Sequence, residues 1–337
     1  MKNFSAIISV LVVLAACMLP FNVRAEMYRI EVLQVTQIGP FDASYQGFVD
    51  ELEKNGIVEG KNLTINRTAI DFDVEKAGLW KKMGVLMRIK KEASRIADAR
   101  PDLVLTIGTP ATKYAKDKIV SAGIPLVFTG VAIPEAAGCR SVSEAGPGFT
   151  GATLYMEMTD ALKIINLAFP RIKTLGMVYS DDDNAIAQEQ QARERCPAFG
   201  MNLISKEVEK SDPIAPAAEE LIGQGAAAFV MPLDSYYGLR DYEPCVDLGK
   251  VTLEHKMPMI SLVHYRFPGF VFYVGADFAV IGSYSGKHAV KILKEGAKPG
   301  DLPILKQEEL TIMVDTKVMQ KLGIELPLEI LQLAKSI

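Results

Sequence analysis

The sequence predicts an α/β fold made of two doubly wound parallel-sheet lobes joined by a hinge, and three observations predict it. Short apolar, β-rich runs alternate with helix-period segments along nearly the whole chain. With 337 residues, 49% of them hydrophobic, the chain can bury two domain-sized cores. A glycine- and proline-rich break at 144–151 lies near its middle and reads as a crossing between the lobes.

In order, the strand-like runs are 28–35, 63–69, 103–107, 125–129, 174–179, 203–208, 227–231, 257–263 and 271–274. Helix-period segments separate most of them, at 44–54, 83–99, 111–122, 159–168, 186–198, 214–224, 239–255 and 279–295. This βαβ alternation predicts parallel strands with helices on both faces of each sheet. Nine strands exceed one typical sheet, which favours two lobes.

The first 25 residues stand apart. Lys2 supplies a positive start, 4–16 is apolar, and Val23-Arg24-Ala25 precedes Glu26 as a small-x-small cleavage signal. Residues 1–25 therefore read as a signal peptide, and the mature chain as an exported, periplasmic one. Leu14-Ala15-Ala16-Cys17 offers a second processing route, in which Cys17 becomes a lipidated anchor. The apolar run is too short to span a bilayer as a helix.

Charge and cysteine usage exclude other classes. Lys and Arg number 37 against 41 Asp and Glu, without the basic excess that nucleic acid demands. The four cysteines form no CxxC pair and no Cys/His cluster, so neither metal nor other cofactor is expected. The sequence lacks HExxH, G-x-S-x-G, P-loop and GxGxxG patterns, and the expectation is a protein without catalytic activity. His264, just past a strand, is the best acid/base candidate, with Asp277 or Asp234 as partner, and is expected to line a cleft or hinge. The glycine-rich run 282–287 lies in a helical pattern and is expected to pack its small residues against a sheet.

In open α/β sheets, ligands bind beyond the carboxyl ends of strands, where helix N-termini offer backbone N–H groups. Candidates in the first half are Gln37 after the strand 28–35, the run Thr109, Pro110, Ala111 and Thr112 after 103–107, and Thr129 and Gly130 after the fourth strand. Thr109 is expected to N-cap a helix with Pro110 at its first position. In the second half they are Ser180 after 174–179, and Asp234, Ser235 and Tyr236 after 227–231. The Asp181, Asp182 and Asp183 cluster reads mainly as a solvated helix start complementing the dipole. An acid in the cleft suits an ammonium group, and a tyrosine suits an aromatic side chain. Replacing Asp234 by Ala is expected to weaken ligand binding and leave the apo fold intact.

Several spaced segments carry a resemblance. They are Gly47-Phe48 with Gly56-Ile57-Val58-Glu59-Gly60-Lys61-Asn62, Arg100-Pro101-Asp102 leading into Gly108-Thr109-Pro110-Ala111, and Ile124-Pro125. Phe149-Thr150-Gly151, Pro170, Gly176-Met177-Val178-Tyr179, Met257-Pro258 and Leu322-Gly323-Ile324-Glu325-Leu326-Pro327 follow. In this order and spacing the chain resembles the periplasmic type I substrate-binding proteins of bacterial ABC importers, in the tryptophan- and tyrosine-associated group. The chain departs from the group at Ile38-Gly39-Pro40, Ala132-Ile133-Pro134-Glu135 and Tyr179-Ser180.

The resemblance implies two lobes joined by three crossings, with 27–148 and 268–300 in lobe one and 149–267 and 301–337 in lobe two. It implies a monomer that captures a small solute, foremost an amino acid and particularly an aromatic one, and delivers it to an ABC permease in the inner membrane. Two alternatives stay open: a sensing subunit that docks to a membrane kinase or chemoreceptor, and a secreted α/β enzyme.

Overall fold

The computed structural model describes residues 27–70 and 79–337. The leader reading at 1–25, with Cys17, lies outside the described residues. Two sheets form. The first contains β1 (Tyr28–Val35), β2 (Leu63–Ile70), β3 (Leu103–Ile107), β4 (Leu126–Val131), β5 (Phe149–Thr153) and β11 (Leu305–Lys306), in the order β11-β5-β4-β3-β1-β2, all parallel. The second contains β6 (Thr174–Tyr179), β7 (Asn202–Glu207), β8 (Ala228–Met231), β9 (Met259–Ser261), β10 (Phe272–Gly275), β12 (Thr311–Val314) and β13 (Lys335–Ser336), in the order β13-β12-β10-β9-β8-β6-β7. Within it the β10–β12 pair alone runs antiparallel.

The sequence explains which strands are central. Leu103 to Ile107 and Leu126 to Val131 are buried at every position, as strands covered on both faces must be, and both runs are mainly apolar. The edge strand β2 keeps alternate residues near solvent. Helices α1 (Gly39–Lys54), α2 (Leu79–Ala99), α3 (Thr109–Ser121) and α8 (Phe278–Glu295) accompany the first sheet. Helices α4 (Met158–Ala168), α5 (Asp183–Arg195), α6 (Ala215–Gly223) and α7 (Glu243–Glu254) accompany the second, with α9 (Thr316–Leu322) and α10 (Leu328–Leu333) near the C-terminus. Among the described residues, no helix is long and apolar enough to cross a membrane. Cys139, Cys196 and Cys245 are buried and free.

Strand pairing moves the expected crossings. The reading that ended lobe one at 148 cuts before β5, yet β5 pairs with β4 through Leu126 and Phe149, and the Phe128 and Phe149 rings pack together. The reading that put 268–300 in lobe one included β10, which pairs with β9 and β12 in the second sheet, while α8 packs on α1, β4 and β5. The chain therefore passes between sheets after Thr153, between Gly275 and Phe278, and between Lys306 and Thr311.

The glycine run also differs from expectation. Gly282 and Gly286 face helix α1, not the sheet: a Cβ at Gly282 would overlap the Ser44 carbonyl, and one at Gly286 would lie 2.9 Å from the Phe48 carbonyl oxygen. Ser285 between them faces the sheet and donates to the Phe128 carbonyl at 2.8 Å. Small residues thus let α8 lie against α1 backbone to backbone.

Candidate ligand cleft

Each sheet reverses its strand order once. In the first, the chain leaves β1 towards β2 on one side and leaves β3 towards β4 on the other. In the second, β6 leads to β7 and β8 leads to β9 in the same divergent way. Loops diverge at such points and leave a crevice at the carboxyl ends of the strands. The loops after β1 and β3 face those after β6 and β8 across one cavity, which holds about 680 Å³ of space, part of it open to solvent.

The cavity lining is mixed. Phe41, Phe267 and Phe278 with Ile38, Met231 and Val263 supply apolar surface, and Asp182, Asn184, Lys210, Asp234, Ser235 and Thr109 supply polar groups. Of the sequence candidates, Thr109, Pro110, Gly130, Asp234 and Ser235 line it.

The other candidates sit elsewhere, for identifiable reasons. Gln37 is exposed, whereas its neighbours Thr36 and Ile38 face the cavity. Ala111 packs in the core of the first sheet. The Thr112 hydroxyl donates to the Gly108 carbonyl at 3.0 Å and lies 2.9 Å from the Thr106 hydroxyl. Thr129 is paired with Ser44 at 2.7 Å. Ser180 is buried under Asp234, and the Tyr236 hydroxyl points away to donate to the Asp212 carbonyl at 2.8 Å. Ala111, Thr112, Thr129, Ser180 and Tyr236 thus serve the packing and hydrogen bonding of their own lobe rather than the cavity wall.

Helix α3 begins differently from expectation. Gly108, not Thr109, is its N-cap, at φ 89° and ψ 158°. Glycine suits both that left-handed backbone and the space, since a Cβ would sit 3.0 Å from the Phe41 ring. Thr109, freed from capping, donates its hydroxyl to Asn184 Oδ1 in the other lobe at 3.0 Å. Asn184 Oδ1 also accepts from the Ile133 N–H at 3.3 Å. Lys113 pairs with Asp183 at 2.8 Å, and the Gly39 N–H donates to the Tyr242 hydroxyl at 3.0 Å. The lobes are thus in contact across the cleft.

The polar groups that lobe two contributes are held from within that lobe. Asp234 Oδ2 accepts the Ser180 N–H at 2.6 Å, and its Oδ1 accepts the Ser180 hydroxyl at 2.8 Å and the Tyr236 N–H at 2.9 Å. Burial, then the nearby Asp182 carboxylate, pushes the Asp234 carboxyl up to about 6, against the pull of Lys210 and the two N–H groups. Asp182 caps α5 through the Asn184 N–H at 3.0 Å and accepts the Ser235 hydroxyl at 3.0 Å. Lys210 Nζ donates to Ser235 Oγ at 2.8 Å and lies 3.6 Å from Asp182 Oδ2. Two acids and one lysine leave this corner suited to a cation.

The sequence reads Asp182 as part of a solvated helix start and Asn184 only as a member of the strand-end loop 180–184, and it does not single out Thr36 or the three phenylalanines. Position after a strand could have flagged Thr36. Lys210 carries no local signal, because it reaches the site from the loop after the edge strand β7. His264, the candidate acid/base, is absent from the cavity wall: its Nδ1 lies 3.1 Å from Asp277 Oδ2 at a crossing, and Asp277 caps α8 through the Ala279 and Val280 N–H groups. The pairing with His264 holds Asp277 below the usual carboxylate range.

Comparison with known proteins places this geometry. The profile of the family described as ABC transporter substrate binding protein matches residues 29–337. A curated tyrosine-binding protein of Clostridioides difficile (strain R20291) is 23% identical over 299 residues, covering 88% of this chain and 81% of its own. Among solved structures, an ABC domain in complex with L-Trp from Streptococcus pneumonia aligns with a TM-score of 0.74 at 22% identity, covering 91% of this chain and 99% of that one. A conserved domain protein from Vibrio cholerae aligns with a TM-score of 0.77 at 22% identity, covering 92% and 99%.

Proposed function

The chain belongs to the family of ABC transporter substrate binding proteins, and from that premise we propose that its cleft captures one amino acid with an aromatic side chain. Membership implies a small-molecule solute and an ABC permease as partner. The observation that carries the finer reading is the mixed lining of the cavity, which brings three phenylalanines together with Asp182, Asp234 and Lys210. A free amino acid carries the same mixture. Its ammonium group suits the two carboxylates, its carboxylate suits Lys210 and the N–H end of α3, and an aromatic ring suits the phenylalanines. The relatives support this reading, one being a tyrosine-binding protein and another an L-Trp complex.

Capture follows from the lobes. An open form admits solute, and closure adds contacts from the second lobe that only the closed state makes, so the solute shifts the balance towards closure. The closed pair of lobes then presents a surface to the permease that neither lobe has alone. With 1–25 read as a signal peptide, this takes place in the periplasm, with Cys17 lipidation the alternative tether.

A thermal-shift and calorimetric screen of the ligand-stripped mature protein tests the reading. L-tyrosine, L-tryptophan and L-phenylalanine are expected to raise the melting temperature, by the equivalent of roughly 2.7 kcal/mol at a hundred times Kd, and to be recovered unchanged. L-alanine and ribose are expected to leave it in place. Stabilisation by ribose alone, or chemical conversion of the bound amino acid, would reject the proposal.

A further inference from the structure

Thr36 closes strand β1 with a backbone that β-branched residues rarely adopt, at φ 70°. Its surroundings hold it there. The Thr36 N–H donates to the Ile70 carbonyl at 2.9 Å, and the Thr36 carbonyl accepts from Gln34 Nε2 at 2.9 Å. Gln34 is braced in turn by Arg67, whose Nε donates to Gln34 Oε1 at 2.9 Å.

Both backbone groups of Thr36 are therefore paired, and the side chain is not. Thr36 is 7% exposed, and its Oγ1 is shut off from solvent without a hydrogen-bond partner. A buried hydroxyl in that state is unfavourable unless something supplies the partner. Among the described residues, the other buried side chains with an unpartnered polar atom are Asn166, His264 and His288, and none of them lines the cavity. Thr36 does, at the point where β1 and β3 diverge and opposite the loops after β6 and β8.

We propose that Thr36 is a ligand-binding residue, whose hydroxyl hydrogen-bonds a polar group of the captured amino acid. The inference rests on the amino-acid reading above and adds a residue to it. Strain, burial and an unpaired hydroxyl meet at one cavity-lining position, and a solute held by closure is the partner that position lacks. Glycine would accept the backbone more readily, and valine would fill the same volume without the polar atom. A threonine here is explained by its hydroxyl.

Calorimetric titration of L-tyrosine and L-tryptophan into ligand-stripped wild type, Thr36→Val and Thr36→Ser, with apo melting temperatures, tests this. Thr36→Val is expected to weaken binding about tenfold, the scale of one hydrogen bond to a charged or well-placed group, with an apo melting temperature no lower than wild type. Thr36→Ser, which keeps the hydroxyl, is expected to bind more tightly than Thr36→Val. Thr36→Ala repeats the comparison if the valine chain does not fold. Wild-type affinity in Thr36→Val overturns the assignment and leaves the amino-acid reading standing, as does a fall in apo melting temperature with no change in Kd. Wild type that binds neither amino acid overturns the amino-acid reading and this assignment with it.

Discussion

Thr109 Oγ1 and Asn184 Oδ1 lie 3.0 Å apart, and this hydrogen bond joins the first turn of α3 in lobe one to the first turn of α5 in lobe two. Because Asn184 also accepts the Ile133 N–H, one side chain of lobe two gathers two donors of lobe one. These bonds exist only when the lobes meet, so they favour the closed state directly.

Asn184→Ala is therefore expected to open the apo protein and weaken apparent affinity by about fivefold, the equivalent of about 1 kcal/mol taken from closure. Small-angle scattering of the apo protein checks the first and titration the second. Lys113→Met offers a cleaner version, since the Lys113–Asp183 pair lies outside the cavity wall. That pair is partly exposed, so its loss is expected to weaken binding by no more than about 1 kcal/mol, and less at high salt. Unchanged scattering and affinity in both variants would show that these contacts do not govern closure.

Asp234 calls for a different outcome from the one its sequence position suggests. Its carboxylate accepts three hydrogen bonds inside lobe two, from Ser180 and Tyr236, and so organises the loops after β6 and β8 before any ligand arrives. Asp234→Ala leaves buried donors unpaired and is expected to destabilise the apo fold by about 1–3 kcal/mol, besides weakening binding. Denaturant unfolding of the apo protein measures it. An unchanged midpoint would return Asp234 to the purely ligand-facing role.

The same residue predicts a pH dependence. Its carboxyl in the fold is raised to about 6 from an ordinary value of 3.8, so between those limits the folded state holds a proton that the unfolded state has released. The Asp234 contribution is thus fully present below about 4 and is lost as pH rises through about 6. His288 acts the other way: burial lowers it from 6.5, so its contribution is present above that value and is lost as pH falls. Comparing wild type with Asp234→Asn separates the two. The difference between their unfolding free energies is expected to grow more negative for Asp234→Asn towards pH 4 and to level off above about 6. A difference flat from pH 4 to 7 would rule out the raised carboxyl. Since an ammonium ligand favours the carboxylate, solute binding is expected to tighten as pH rises through the same window.

Much of the fold was legible because parallel α/β chains announce themselves. Runs such as Leu103 to Ile107 are apolar but for Thr106, and the helices between them carry a 3.6-residue period. Strand β5 was not, since Phe149-Thr150-Gly151-Ala152-Thr153 has little apolar character of its own and becomes a strand by pairing with β4. The crossings moved with it. At the cleft, strand-end position found Thr109, Gly130, Asp234 and Ser235, because that rule is a property of the fold. It could not choose between adjacent residues, so it selected Gln37 where Thr36 faces inward. Nor could it find Lys210 or Phe267, whose place depends on loops whose path no local pattern sets.

Gly282 offers the sharpest test of how α1 and α8 are joined. On helix propensity alone, Gly282→Ala in the middle of α8 should stabilise the chain by about 1 kcal/mol. Packing argues the opposite, because the added Cβ overlaps the Ser44 carbonyl and has backbone, not a movable side chain, in its way. Helix α1 would have to shift, and with it Ser44, which is bonded to Thr129 at 2.7 Å. Overpacking of this kind costs about 1–3 kcal/mol, so the packing effect outweighs propensity and Gly282→Ala is expected to lower the melting temperature. Gly296→Ala, at the left-handed C-cap of the same helix with open space around it, is expected to be destabilising through backbone strain alone. A stabilised Gly282→Ala protein would mean that α1 and α8 are not in backbone contact at this point.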